Sequence, residues 1–296
     1  MLTFIDLFSG IGGFRLGMEM AGHICVGHCE IDKFAEKSYK EMHNVKGGEW
    51  YAADITKVKG EEMPQADCWC FGFPCTNISI AGKRQGLEGE QSRLFFEVIR
   101  LLEETEKKNR PEWLFIENVR NLLSIAKGFD FARILIALDK AGYDTQWQVL
   151  DSACFEVPQH RERLYIIGHI RENSGRKIFP VPAKNKSARI KQIGNITPPR
   201  KKWKNPPSGR IFSTEGISPT LICKGGGGKE VKILVEKEGE KRIRKLTPKE
   251  CFRLQSFPDE YFDRAKSVNS DTQLYKQAGN SVTVSVIYEI AKKIGT

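Results

Sequence analysis

Along the chain, short apolar runs alternate with stretches whose apolar residues recur at helical spacing. Leu2 to Phe8, Ala66 to Phe71, Trp113 to Ile116 and Leu164 to Ile167 are brief, apolar-rich and bounded by polar residues or glycine, the pattern of strands buried on both faces. Ile24 to Val26 adds a further short run. Phe14 to Ala21 is apolar at helical spacing, and a helix-like run opens at Gln277 and continues to Ile294. Strands alternating with helices predict an α/β fold built on a mostly parallel sheet with helices on both faces. In such open sheets a ligand sits outside the carboxyl ends of the strands, so the residues that follow each run carry the functional argument.

The first run leads into Ser9-Gly10-Ile11-Gly12-Gly13, where glycine lets a ligand approach the backbone and a helix N-terminus. Gly10 and Gly12 have G-x-G spacing, but the third position of the dinucleotide fingerprint is Arg15, which argues against a pyrophosphate-binding domain and an oxidoreductase. Glu30, after the second strand, suits an acid that holds ribose hydroxyls, and Asp54 would do similar work after the third. Ala66 to Phe71 ends in Gly72-Phe73-Pro74-Cys75, where Pro74 fixes a rigid turn and leaves one thiol at the sheet edge. Trp113 to Ile116 delivers Glu117-Asn118-Val119, and Gln159-His160-Arg161-Glu162-Arg163 precedes the last run. Arg161 and Arg163, two apart, can share one strand face. Taken singly, each has an ordinary structural reading: Cys75 as a buried thiol like Cys68 and Cys70, Glu117 as a cap, the arginines as a solvated pair, Asn280 as a turn residue. Their joint order points to a site.

In that order the motifs resemble those of the DNA (cytosine-5) methyltransferases and cover nearly the whole chain. Asp6-Leu7-Phe8-Ser9-Gly10-Ile11-Gly12-Gly13 resembles the family's cofactor loop, Phe73-Pro74-Cys75 its nucleophile motif and Glu117-Asn118-Val119 its second catalytic motif. Gln159-x-Arg161-x-Arg163 resembles its paired-arginine motif, Arg244 to Cys251 the segment after its recognition region, and Gly279-Asn280-Ser281-Val282 its final motif. The resemblance implies a Rossmann-like S-adenosylmethionine-dependent methyltransferase sheet with a second, smaller, mostly β target-recognition domain. It implies S-adenosylmethionine as methyl donor and no metal. Phe8 would pack on the adenosine, Gly10 and Gly12 would admit the amino-acid portion, and Glu30 would take the ribose hydroxyls. Asp54 and Ile55 would frame the adenine, and Asn280 and Ser281 would close the methionine end. Ile31 stands where the family often has an aromatic residue, keeping an apolar contact without stacking.

By the same resemblance, Cys75 adds as a thiolate to carbon 6 of cytosine, which makes carbon 5 nucleophilic toward a methyl group. A positive environment, which Arg161 and Arg163 could supply, would favour the thiolate. Glu117, kept protonated by burial, would hydrogen-bond or protonate N3. Arg163 would contact O2 and Arg161 would support the cluster. No residue is assigned to removal of the carbon 5 proton, which water can take. A base inside a duplex must flip out to reach such a pocket.

Charge adds an independent argument for a polyanionic partner. The 296-residue chain carries 47 Lys and Arg against 37 Asp and Glu, a net +10; residues 171 to 249 hold 21 Lys and Arg, six Glu and no Asp, or +15, leaving −5 elsewhere. Such segregation suits a phosphate backbone. Arg210 to Phe212, Ser218 to Cys223 and Val231 to Val235 read as short strands in this basic part. Gly225 to Gly228 is no phosphate-binding motif, since no Lys-Ser or Lys-Thr pair follows. Target recognition is expected between about residues 187 and 239, around Arg210, Thr220 and Leu221. Lys83 and Arg84, in a loop punctuated by Gly82, Gly86 and Gly89, are expected to meet DNA as a lid closes.

These assignments divide the chain into a catalytic and cofactor-binding domain at 1–172, completed by 271–296, and a small basic target-recognition domain at 173–270. Eight cysteines without a C-x-x-C pair make zinc ribbons and a disulfide framework unexpected. Neither a membrane-spanning run nor a signal peptide is evident, and with this cysteine usage a cytoplasmic location is expected; the resemblance implies a monomer acting on double-stranded DNA, either as the modification half of a restriction-modification system whose endonuclease acts separately or as a phage or orphan methyltransferase. The rival readings are an RNA cytosine-5 methyltransferase, whose tRNA-acting members carry Cys-Phe-Thr where this chain has Cys251-Phe252-Arg253, and a catalytically inactive DNA-binding regulator. The intact Cys75, Glu117, Arg161 and Arg163 argue against the latter.

Overall fold

The computed structural model describes residues 1–45, 47–74, 94–172, 176–184, 188–199, 204–222, 230–237 and 239–295. Cys75, Lys83 and Arg84 lie outside the described residues, as does the glycine run at 225–228. The large sheet contains β1 (Thr3–Leu7), β2 (Ile24–Cys29), β3 (Trp50–Ala52), β4 (Cys68–Phe71), β5 (Trp113–Val119), β6 (Tyr143–Asp151) and β7 (Glu162–Ile170). Their spatial order is β3-β2-β1-β4-β5-β7-β6. Strands β1 to β5 are parallel, and β7 runs antiparallel to both β5 and β6. The chain winds outward from β1 through β2 to β3, then returns to lay β4 on the other side of β1. The switch point, where open sheets of this type bind ligands, is therefore between β1 and β4. Because β7 is reversed, its N-terminal end, not its C-terminal end, reaches that same edge.

Period-two burial explains the layers. Ile5, Leu7, Trp69, Phe71, Leu114 and Ile116 point to one face, covered by α3 (Leu94–Glu104) and α4 (Phe129–Lys140). Phe4, Cys68, Cys70, Trp113 and Phe115 point to the other, covered by α1 (Gly13–Met20) and α8 (Val284–Ala291). Residues of both faces are buried, as the continuous apolar runs predict. α2 (Lys33–His43) follows β2 and is capped by Asp32, whose carboxylate accepts from Phe34 N at 2.9 Å.

A second sheet has the order β11-β10-β9-β8, from β8 (Gln192–Asn195), β9 (Arg210–Ser213), β10 (Lys232–Lys237) and β11 (Glu240–Lys245). Three helices follow: α5 (Pro248–Arg253), α6 (Asp259–Val268) and α7 (Asp271–Asn280). Thr247 and Glu250 form a reciprocal capping box at the start of α5. A third core joins Phe212 and Ile233 of the small sheet, Phe252 and Phe262 of these helices, and Ile11, Leu16 and Met42 of the large sheet's own elements. Thus α6 packs on α2, and the small sheet is tied to the glycine-loop side by helices.

Two sequence expectations need correction. The stretch from Gln277 does not open one helix to Ile294: α7 ends at Asn280, and Ser281 to Thr283 form a non-helical junction before α8. The extended Ser281 backbone leaves its carbonyl to Arg161 Nη2, at 2.7 Å. Of the strand expected at Ser218 to Cys223, residues 218–222 are described and form only an isolated bridge between Ser218 and Gln159; Pro219 has no amide proton, and Leu221 N donates to the Gln159 side chain at 3.0 Å.

Candidate active site

The carboxyl ends of β1, β2, β4 and β5 and the N-terminal end of β7 enclose a cavity of about 1350 Å³. Phe8, Gly10, Glu30, Ile31, Asp54, Ile55, Glu117, Arg161, Arg163, Thr220, Leu221, Asn280 and Ser281 all line it. Gly12 lies just behind the wall, and Arg210 stands apart on β9, its guanidinium donating to Asn205 O at 3.1 Å. Thirteen of the residues expected from sequence therefore converge on one cavity. Gly72, Phe73 and Pro74, which precede Cys75 in the sequence, also line it.

One half of the cavity is built on the glycine loop. Phe8, Gly10 and Gly12 have φ of 53°, 58° and 77°, a left-handed turn that stops β1 and opens α1. A Cβ on Gly10 would meet nothing within 4 Å, whereas one on Gly12 would lie 2.1 Å from His43 Nε2. Gly10 thus faces open space and Gly12 faces protein. The Glu30 carboxylate accepts from Gly10 N and from Asp32 N, each at 2.7 Å. Burial pushes the Glu30 carboxyl up from its ordinary range, and those two backbone donors oppose the shift. Each oxygen keeps accepting capacity toward a ligand's hydroxyls. Asp54 caps the turn at Ile55–Lys57 through Thr56 N at 3.0 Å and Thr56 Oγ1 at 2.8 Å, bonds that hold its carboxyl below the ordinary range. Ile55 is buried beneath it, and Ile31 is 73% exposed at the rim. An exposed isoleucine beside an acid pair is an apolar surface for a flat ring. These residues fit an adenosine-bearing ligand.

The other half carries the catalytic types. Glu117 lies within β5, and its Oε1 pairs with Arg163 Nε at 3.0 Å. Both side chains are largely buried. A Cβ on Gly72 would stand 3.3 Å from Glu117 Oε2, so the carboxyl abuts the turn leading to Cys75. Asn118 holds that turn, donating to Phe73 O at 3.4 Å. Arg161 is buried and donates to Ser281 O at 2.7 Å and Gly279 O at 3.4 Å. It therefore binds the β7 end to the junction between α7 and α8, joining the two halves of the site.

To several residues, some of them inside the quoted motifs, the sequence assigned no role of their own. Gln159 is fully buried and ties the Thr220–Leu221 segment to the start of β7, donating to Leu254 O at 2.8 Å while accepting from Leu221 N. His160, inside the same motif, lines the cavity with Nδ1 at 2.6 Å from Asp151 Oδ2. Arg120 and Glu162 form a 2.6 Å ion pair at the rim, and Lys276 reaches Asp32 at 2.5 Å on the cofactor side. Only the alternation within the paired-arginine motif hinted at His160 and Glu162; the partners on other elements are far away in sequence. Among the described residues, no group of three or more His, Cys, Asp or Glu side chains is arranged to hold a metal. No helix there is long and apolar enough to cross a membrane.

A sequence model of the C-5 cytosine-specific DNA methylases matches residues 2–217 and 213–296. The chain is 35% identical to the type II methyltransferase M.DsaV of Dactylococcopsis salina, over 99% of this chain and 86% of that protein. It is 34% identical to the type II methyltransferase M.HhaI of Haemophilus parahaemolyticus, over 100% and 94%. Among solved structures, the S. pombe Dnmt2 methyltransferase superposes with a TM-score of 0.72 at 19% identity, covering 98% of each chain, a likeness of fold.

Proposed function

The chain belongs to the family of C-5 cytosine-specific DNA methylases, and from that premise we propose that it transfers a methyl group from S-adenosylmethionine to carbon 5 of a cytosine flipped out of double-stranded DNA. The observation that carries this reading is the single cavity in which the Gly10 and Glu30 half meets the Glu117 and Arg163 half, beside Pro74. The bound cofactor supplies an electrophilic methyl group on sulfonium. Glu30 holds the ribose, Ile31, Asp54 and Ile55 the adenine, Phe8 the adenosine face, and Gly10, Asn280 and Ser281 the methionine end.

Cys75 attacks carbon 6 as a thiolate, forming an S–C bond and moving the ring's electron pair toward carbon 5. Arg163 and Glu117 face the charge that develops at O2 and N3. Carbon 5 takes the methyl group as its bond to sulfur breaks; a base or water then removes the carbon 5 proton, and the returning electron pair expels the Cys75 thiolate. Arg161 keeps the two halves in register. The basic residues between 173 and 270, with Arg210, Thr220 and Leu221, position the duplex and read its sequence, and Lys83 and Arg84, after Cys75 in the sequence, add positive charge for its phosphates. The enzyme acts as the modification partner of a separate restriction endonuclease or as an orphan methyltransferase.

A duplex carrying 5-fluorocytosine at the methylated position tests the covalent step. Fluorine cannot leave as a cation, so a denaturation-resistant protein–DNA complex should accumulate with S-adenosylmethionine and vanish in Cys75→Ser, whose hydroxyl is far less ionised. Trapping that persists in Cys75→Ser would remove Cys75 as the nucleophile.

A further inference from the structure

His43 is the last residue of α2. Its Nε2 lies 3.1 Å from Ile11 O, the carbonyl between the two loop glycines. One residue earlier in the loop, Gly10 N donates to Glu30 at 2.7 Å. Glu30 precedes α2 and also accepts from Asp32 N. Both ends of one helix therefore grip the glycine loop, at peptide groups separated by one peptide unit: the N-terminal end through Glu30, the C-terminal end through His43. The ring has little room to swing. It packs against Tyr39 at 4.9 Å and edge-on to Tyr261 of α6 at 5.4 Å. Arg264 of α6 also donates to Met42 O at 2.9 Å. With the Ile11 carbonyl as its only partner at Nε2 among the described residues, the ring carries its proton there. Burial, followed by the charge of Arg15, lowers the His43 pKa to about 3; Ile11 O opposes this, while His28 and Arg264 add to it. The ring is thus a neutral donor throughout the working range of pH.

We propose that His43 is a positioning residue for S-adenosylmethionine: its Nε2–H bond to Ile11 O, buttressed by Tyr261, holds the Gly10–Gly12 loop in the shape that admits the cofactor. This rests on the cofactor assignment of the loop given above. It also makes α6, which follows the small basic domain's sheet, a structural neighbour of the cofactor loop.

The test needs no knowledge of the DNA target. S-adenosylmethionine and S-adenosylhomocysteine are titrated calorimetrically into the DNA-free full-length wild type, His43→Phe, His43→Asn and His43→Gln, with thermal midpoints measured for each. Phe keeps the ring and loses the donor, Asn has a donor too short to reach, and Gln places an amide N–H near the Nε2 position. Loss of one buried hydrogen bond should weaken cofactor binding by roughly 5- to 10-fold in His43→Phe and His43→Asn, whereas His43→Gln should recover most of it even where its thermal midpoint falls as far as theirs. Wild-type affinity in a folded His43→Phe or His43→Asn would overturn the proposal, as would affinities that track the thermal midpoints alone with no recovery in Gln. A wild-type chain that binds neither ligand would overturn the cofactor reading itself, and the proposal with it.

Discussion

Gly10 and Gly12 are two residues apart, share a left-handed backbone, and should respond in opposite ways to the same substitution. Alanine at either position pays the left-handed penalty of about 1–2 kcal/mol. At Gly10, where a Cβ meets nothing within 4 Å, that penalty is the whole structural cost. At Gly12 the Cβ would lie 2.1 Å from His43 Nε2 and 2.8 Å from His43 Cδ2, far inside contact distance. The ring is held by Ile11 O, Tyr39 and Tyr261, so overpacking adds about 1–3 kcal/mol. Gly12→Ala should then lose about 2–5 kcal/mol, a large share of an ordinary domain's stability, and Gly10→Ala about 1–2 kcal/mol. Urea unfolding followed by circular dichroism would read the difference. In the Gly12→Ala/His43→Ala double variant the steric part should be recovered as a coupling of about 1–3 kcal/mol. Gly10→Ala should instead lose cofactor affinity out of proportion to its stability, because its methyl group projects into the cavity. Equal stability losses in the two single variants, or no coupling in the double variant, would refute the reasoning.

Three further outcomes are expected. Glu117→Gln should slow methyl transfer by roughly 10²- to 10⁴-fold in single-turnover assays while S-adenosylmethionine affinity without DNA stays unchanged, since the proposed contact with the reacting ring is altered but the Gly10 and Glu30 half is untouched. Arg161→Met should lower stability by about 2–4 kcal/mol, because it strands the buried carbonyls of Gly279 and Ser281, and should weaken cofactor binding in the same titration. The Glu250 carboxyl is held down to about 2, first by the paired Arg244 guanidinium and then, against the opposing effect of burial, by Thr247. Since its folded value lies below the ordinary 4.5, its stabilisation is complete above about pH 4.5 and disappears toward pH 2; Glu250→Gln should cost about 1–2 kcal/mol at pH 7, with the gap to wild type closing over that window in urea titrations.

What the sequence disclosed and what it concealed have separate physical causes. Strands β1, β4 and β5 were legible because both of their faces are buried, so each is a continuous apolar run. The residues at their ends were legible because glycine, proline and isolated acids interrupt those runs. The reversed β7 was not evident from Leu164 to Ile167, whose apolar run is the same in either direction; only pairing with β5 shows that Arg163 sits beside the carboxyl end of the parallel strands. The break at Ser281 was concealed because Val282 to Ile294 continues a helical apolar pattern, and the interruption comes from a bond to Arg161, 120 residues away. His43 was invisible for a similar reason. Nothing in Glu41-Met42-His43-Asn44 says that the ring will lie under Gly12, since that placement depends on how α2 packs across the loop.

The central claim is that this chain puts a methyl group on carbon 5 of cytosine in DNA through Cys75. Its most direct test is mass spectrometry of nucleosides from plasmid DNA and cellular RNA of a methylation-deficient host expressing the wild type or Cys75→Ser. The account predicts 5-methyldeoxycytidine in DNA with the wild type and none with Cys75→Ser, whereas methylation at another atom, methylation confined to RNA, or equal 5-methyldeoxycytidine from the two proteins would contradict it.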